Sequence, residues 1–293
     1  MTIGYLDRVW RSQGAAGVRA AFRSIARRSR EDAIRALNDE ENGFPVTYIL
    51  AQEVEKLGLE AELPSRALYG LWLVAAKAQD AERAARYAAL LGVHGKVSPP
   101  EDALKWVILT GAGWDGPHAG RDDYDAALDL AAAYYAASFN DAQTLTRLAE
   151  LVFYRNRRGL FVHDLVWGLL QGADASALSV VAKYIVSDNA SDSDLACKLL
   201  GLKTPRNASD KVKTYAKFTE WLAENRPFIY LTGEHFNAMS VPHHLELDEE
   251  AKYLKREIHP RTREPFTPLT EEELSALAVF RLSRSGGSER TEV

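Results

Sequence analysis

Apolar residues recur at three- and four-residue spacing along most of this chain, and a short polar signal marks where several of these segments begin. Asp80, Asp141 and Asp174 are each followed by alanine and then by such a segment, and Asn207 precedes a fourth. Successive signals lie 61, 33 and 33 residues apart. Because Asp and Asn side chains accept hydrogen bonds from the first free amides of a helix, each signal predicts a helix start.

A spacing of about 33 residues, or twice that, is typical of stacked helix pairs. An apolar stripe on one side of a helix needs a neighbouring surface to cover it, and stacking supplies that surface. Near-repeats that arise by chance in an alanine-rich helical protein are the alternative, and the pattern matches neither the tetratricopeptide nor the ankyrin consensus. We expect an all-α fold of stacked helical hairpins, either solenoid-like or an irregular helical array.

The same periodicity predicts helices throughout the first three quarters of the chain, with no clean alternating strand pattern between them. A short segment from Tyr5 to Trp10 comes first, then a helix from Ala15 to Arg28 and a short helix capped by Ser29. Further helices are predicted at about 45–58, 65–78, 80–92, 99–110, 122–138, 141–156, 160–171, 174–187, 191–201 and 209–224.

Prolines change the pattern from Pro227 onward, since proline interrupts helices. Residues 1–225 are therefore predicted to form a helical, repeat-like domain. Residues 226–293 are predicted to form a proline-rich C-terminal arm packed on that body, with short helices at about 248–256 and 270–282. The small polar residues from about 283 predict a frayed tail.

Cysteine content and hydropathy indicate the cellular compartment of the protein and whether it crosses a membrane. The chain has 293 residues and one cysteine, Cys197, which lies in an apolar run and is predicted to be a small core residue. One thiol and no disulfide suit a reducing compartment. The longest strongly apolar stretch, 68–76, is too short to cross a bilayer, and the charged opening residues do not resemble a secretory signal. We expect a cytoplasmic protein without a transmembrane segment.

Charge is unevenly distributed: the net charge is −5, yet the first thirty residues hold seven arginines against Asp7 alone. This basic helix could bind nucleic acid, lie on an anionic membrane, or dock onto acidic residues of this chain or of a partner. An Arg-rich opening also resembles an organellar transit peptide. A solvated face of an ordinary helix is the simplest interpretation. The candidate partner-binding residues here are Arg19, Arg23 and Arg27.

A second basic run, Arg155, Arg157 and Arg158, ends a predicted helix. The helix dipole favours positive charge at that end, so the run is predicted to need no ligand.

The dipeptide His163-Asp164 lies in an apolar, helical context. It resembles the His-Asp dipeptide of the all-helical phosphohydrolases of the HD superfamily. That resemblance implies a divalent metal held jointly with a distant His and a distant Asp. A partly buried, hydrogen-bonded histidine is the alternative. The distant ligands would be His94 or His118 and Asp188 or Asp192.

Four of the seven histidines lie in the C-terminal arm, at His235, His243, His244 and His259. Zinc takes three or four nitrogen, sulfur or oxygen ligands, so these residues suffice for a zinc or other divalent metal site. The spacing does not follow a known zinc motif, and histidines in exposed loops are the alternative.

Residues 109–120 are rich in glycine and cannot continue a helix. The segment lacks the Gly-Lys-Ser/Thr ending of a phosphate-binding loop and does not follow a predicted strand. A connector between helices, with Trp114 packed on the body, is the simplest interpretation. The polar residues in and after the segment could form the rim of a site for a ligand or a partner, namely Asp115, His118, Asp122, Asp123 and Asp125. The candidates are Trp114, Asp115 and His118.

No complete catalytic set is recognised, so no catalytic residue is assigned. The leading hypothesis is a non-catalytic helical scaffold or adaptor that mediates protein–protein interaction. A metal-dependent (phospho)hydrolase using His163 and Asp164, or the C-terminal histidines, is one alternative. Nucleic-acid binding through the Arg-rich N-terminal helix is another.

Overall fold

The structure is a computed structural model that describes residues 4–111, 122–139, 141–160, 162–170, 175–232 and 245–285. Across these ranges the chain forms fourteen α-helices and one two-stranded sheet, so the predicted all-α class is confirmed. Two compact units cover residues 1–169 and 170–293. This boundary differs from the predicted division after residue 225, which stays a prediction.

The secondary structure of unit 1 is helical in the ranges that the structure describes. The bounds of its helices are α1 (Tyr5–Arg28), α2 (Arg30–Leu37), α3 (Phe44–Lys56), α4 (Ser65–Lys77), α5 (Ala81–Leu90), α6 (Glu101–Gly111), α7 (Asp122–Ser138), α8 (Ala142–Arg157) and α9 (His163–Leu170), whose last residue begins unit 2. α4 lies at the centre and packs against α3, α5, α6 and α7. α1 packs against α2 and α3, and α8 packs against α6.

Polar caps begin several helices at the predicted residues. The Asp80 carboxylate accepts a hydrogen bond from the amide of Arg83 at 3.0 Å, and Asp141 accepts one from Thr144 at 3.0 Å. α1 is kinked at Gly14, whose φ of 68° separates the two predicted N-terminal segments, because only glycine adopts that conformation without strain.

The third signal behaves differently. Helix α10 (Ser176–Ala182) has Ala175, not Asp174, at its cap position, and no side chain caps it. Asp174 itself lies outside the described residues. Asn207 caps α12 (Ala208–Asn225) through the amide of Asp210 at 2.9 Å. Asp80 and Asp141 belong to unit 1, whereas Asp174 and Asn207 belong to unit 2. The stacking of the four helices as one repeat therefore stays a prediction.

Aromatic packing fills the core of unit 1 around Phe44. Its ring stacks on Tyr124 with centroids 5.2 Å apart and meets Trp106 edge-on at 5.9 Å. Gly70 on α4 and Gly111 at the end of α6 make room for it, since a Cβ at either position would lie 3.0 Å from the ring. Gly111 is thus the buried last residue of α6, close to the helix end that the sequence predicts at about residue 110.

Unit 2 contains α10, α11 (Ala190–Leu199) and α12, then β1 (Ile229–Leu231), β2 (Leu245–Leu247), α13 (Glu249–Leu254) and α14 (Glu271–Ser285). The two strands pair antiparallel, with Tyr230 opposite Glu246. Three-residue strands are too short to show alternation, so the sequence does not reveal them.

Three further sequence predictions concern unit 2 or the whole chain. α14 continues to Ser285, beyond the predicted start of the frayed tail, and the packing of a C-terminal arm on the body stays a prediction. Cys197 is buried, as predicted, and burial raises the pKa of its thiol. Within the described ranges no helix is both long enough and apolar enough to span a membrane.

Candidate functional site

Helix α14 leaves most of its apolar residues exposed. Of its seven apolar residues only Leu277 is buried, whereas Leu274, Val279 and Leu282 are 53%, 64% and 72% exposed. Leu274, Ala278 and Leu282 recur every four residues, so they share one side of the helix with Val279 at its edge. We call these four residues, Leu274, Ala278, Val279 and Leu282, the α14 face.

The other side of α14 is fixed to α13. The ring of Phe280 stacks on Tyr253 with centroids 4.4 Å apart and planes at 20°. At the start of the helix, the guanidinium of Arg256 donates to the Glu273 carboxylate at 2.6 and 3.0 Å. This cation, together with hydrogen bonds from Thr270, lowers the pKa of Glu273 to about 2. The α14 face is therefore presented by a helix that is held in a defined orientation within unit 2.

The N-terminal arginines have different surroundings. Arg23 donates through Nε to the carboxylate of Glu53 at 2.9 Å, and this bond lowers the pKa of Glu53. Arg19 donates through Nε to the carbonyl of Ile49 at 3.3 Å. Arg27 is exposed. Arg23 thus docks onto an acidic residue of its own chain, one of the alternatives that the sequence leaves open, and partner binding by this row stays a prediction.

His163 has a neighbour at each ring nitrogen. Its Nδ1 lies 3.2 Å from Asp164 Oδ1, and Trp167 Nε1 lies 3.2 Å from its Nε2. The indole N–H can only donate, so Nε2 must accept and Nδ1 carries the proton toward Asp164. Asp164 also lies 3.4 Å from Lys77 Nζ. This is the arrangement of a hydrogen-bonded, partly buried histidine.

Metal ligation requires several such groups together. Among the residues that the structure describes, no three His, Cys, Asp or Glu side chains are grouped as a metal site requires. His259 is exposed, and its Nδ1 accepts from the amides of Arg261 and Thr262 at 3.3 Å, which stabilises a turn. His235, His243 and His244 lie outside the described residues, so the four-histidine zinc site stays a prediction.

The predicted partner rim in the glycine-rich segment also lies outside the described residues. Trp114, Asp115 and His118 all fall between the end of α6 and the start of α7. Their role in binding stays a prediction.

A buried charge cluster in unit 1 is absent from the sequence-based assignments. Arg155 is only 3% exposed and donates to Asp129 at 2.8 Å, with Asp125 at 3.4 Å. Arg155 lies in the last turn of α8, as predicted, and it also has two carboxylate partners that the sequence did not reveal. Burial raises the pKa of Asp129 to about 6, and the attraction of Arg155 opposes that rise. The i, i+4 spacing of the two aspartates on α7 was the available signal.

No known protein family, curated protein or solved structure matches this chain. Its function is therefore inferred from the geometry of its own side chains.

Proposed function

We propose that this protein is a non-catalytic helical adaptor that binds another protein through the α14 face. The observation that carries the proposal is the exposure of Leu274, Val279 and Leu282 on a helix whose other side is fixed to α13. Contiguous exposed apolar side chains mark interaction surfaces, because a partner that removes them from water stabilises the complex.

The chemistry of the helix indicates the kind of partner. Glu271, Glu272 and Glu273 form its acidic first turn, and Glu271 and Glu272 are exposed at the end of the α14 face. A partner helix with its own apolar stripe would cover the leucines and valine, and basic residues at one end of that helix would complement the glutamates. We therefore propose an amphipathic helix with a basic end as the partner segment.

The test compares two polar variants of the full chain. The triple variant Leu274→Gln/Val279→Gln/Leu282→Gln removes the α14 face while keeping good helix formers. Val212→Gln is the matched control, since Val212 is an exposed apolar residue on α12, at 60%. Pull-down from native lysate should recover a stoichiometric partner with wild type and with the control, and lose it with the triple variant. The melting temperatures should agree closely, because all four side chains are exposed.

Three outcomes would contradict the proposal. The first is a partner that the triple variant retains, and the second is that wild type recovers no partner at all. The third is a wild-type chain that self-associates in light-scattering measurements while the triple variant is monomeric. That result would assign the α14 face to a second copy of this chain.

A further inference from the structure

A cavity of about 210 Å³ opens between helices of unit 1, and it is independent of the α14 face. α1, α3, α4, α5 and the first turn of α7 contribute to its lining. One wall is apolar, and a helical framework of this kind holds lining groups in defined positions. The residues of the apolar wall are Ile49, Ala51, Leu71, Val74, Ala75 and Ala78.

Arg19 contributes a cation to this cavity. It is half-buried, and its Nε donates to the carbonyl of Ile49 at 3.3 Å. Within the described residues no carboxylate lies at ion-pair distance from it, unlike Arg23 on the same helix, which binds Glu53. A guanidinium has five N–H donors, so Arg19 retains donors for an anionic group.

Asp123, whose side chain is exposed, contributes an anion to the same cavity. Its Oδ1 accepts from the hydroxyl of Tyr48 at 2.8 Å and from the amide of Tyr124 at 3.0 Å. Those two bonds orient the carboxylate. In the part of the chain that the structure describes, no cation lies at ion-pair distance from Asp123, so its second oxygen can accept from an ammonium group.

Tyr87 supplies a hydroxyl group to the cavity. It is only 4% exposed, it lines the cavity, and burial raises the pKa of its hydroxyl. No hydrogen bond to this hydroxyl occurs within the described ranges. The hydroxyl oxygen itself is open to the cavity, so it can form a hydrogen bond to a bound molecule.

The remaining charges of the lining are already compensated. Arg83 donates to Glu55 at 2.7 Å, and Asp80 accepts from the Arg83 amide as the cap of α5. The formal charges of the cavity lining are two arginines and two aspartates, which balance. A ligand with a single net charge finds no excess of the opposite sign here, whereas a zwitterion finds both an available cation and an available anion.

Size and polarity then limit the ligand class. An apolar cavity of about 150 Å³ accommodates a benzene ring. A cavity near 210 Å³ therefore accommodates a branched aliphatic or single-ring side chain together with a small polar head. We propose that this cavity binds a free apolar α-amino acid, whose carboxylate meets Arg19, whose ammonium meets Asp123 and whose side chain lies on the apolar wall.

Calorimetric titration of the full chain tests the ligand class. The probes are L-phenylalanine and L-leucine, with 3-phenylpropionate lacking the ammonium and 2-phenylethylamine lacking the carboxylate. At least one amino acid should bind, and each analogue of phenylalanine should bind about tenfold more weakly or worse than the better amino acid, since each leaves one charged group of the cavity unpaired. Binding of neither amino acid, or equal binding of an analogue, would overturn the proposal.

Variants test the location. Arg19→Gln should weaken amino-acid binding about tenfold, and Tyr87→Phe should weaken it by a smaller factor. Arg27→Gln is the matched control, because Arg27 is an exposed arginine on the same helix and does not line the cavity. Unchanged affinity in Arg19→Gln would overturn the assignment.

A measurement on wild-type protein keeps the test valid if Arg19→Gln fails to fold. Tyrosine ring signals in NMR spectra, assigned through Tyr48→Phe and Tyr87→Phe, should shift on titration with the amino acid. If neither ring responds while the amino acid binds, the ligand lies elsewhere and the proposal is wrong.

Discussion

Helices α4 and α14 both carry apolar residues at helical spacing, nine of thirteen residues in α4 and seven of fifteen in α14, but their surroundings are opposite. α4 packs against four other helices and buries seven residues, including Leu68, Leu71 and Leu73, whereas α14 packs against α13 and buries Leu277. An apolar stripe at helical spacing therefore does not by itself tell whether a helix is a core element or presents a surface to a partner. The number of neighbouring helices decides this, and that number is a property of the tertiary structure.

Ion pairs show the same contrast. The pair of Arg155 and Asp129 in unit 1 is almost fully buried, whereas Arg281 and Glu250 form a pair between α14 and α13 in which both side chains are exposed. Both pairs have N–O distances below 3 Å, at 2.8 and 2.6 Å respectively. A surface pair gains little because water solvates both charges well, whereas the loss of one buried partner leaves the other charge without compensation.

The largest expected effect comes from breaking the buried pair. Arg155→Ala should lower the free energy of unfolding by about 3–5 kcal/mol, because Asp129 would be left buried without its cation. Arg281→Ala should cost about 1 kcal/mol or less. Urea unfolding of the two variants measures the difference. Equal losses would show that burial does not distinguish the two pairs.

Leucine truncation tests the packing contrast directly. Leu73→Ala in α4 should cost about 2–5 kcal/mol, since the side chain is fully buried and its loss leaves a cavity. Leu274→Ala in α14 should change the free energy of unfolding by about 0.5 kcal/mol or less, because that side chain is already in water. The measurement is chemical denaturation of both variants in the same buffer. A large loss at Leu274 would mean that the α14 face is covered in the isolated protein.

Titration of Asp129 should change the free energy of unfolding very little at neutral pH and more as the pH falls. Its folded-state pKa of about 6 exceeds the ordinary 3.8, so the folded protein binds a proton as pH falls toward 4 while the unfolded chain does not. The contribution of Asp129 to the free energy of unfolding should therefore rise over that range, by at most about 3 kcal/mol. At Glu250, bonding to Arg281 lowers the pKa, so its contribution should instead be lost at acidic pH below 4.5.

The measurement is the difference in unfolding free energy between wild type and Asp129→Asn as a function of pH. This difference should increase in favour of wild type as pH falls from about 7 to about 4, with the change beginning near the Asp129 pKa. A difference that stays constant would contradict the raised pKa. The corresponding difference for Glu250→Gln should change only at lower pH and in the opposite sense.

Local signals explain which features could be predicted. Helix positions follow from apolar spacing and from caps such as Asp80 and Asp141, because both act within a few residues of the chain. The contact of Gly111 with Phe44 and the ion pair of Arg155 with Asp129 were not predicted, because the ring and the carboxylate come from distant segments of the chain. The sequence suggested Asp123 as part of a ligand or partner rim, but it did not reveal the cavity, since the lining comes from five helices and Arg19 and Asp123 are 104 positions apart.

The amino-acid sequence alone determines the all-α class, the approximate extent of most helices and several of their capped starts. These depend on backbone hydrogen bonding and on which side of each helix is apolar, and both are set by neighbouring residues. Only the tertiary structure decides that the α14 face is exposed, that Arg155 is buried, and that Arg19 and Asp123 line one cavity. Each of these depends on long-range packing, because burial and charge pairing arise only when distant segments come together.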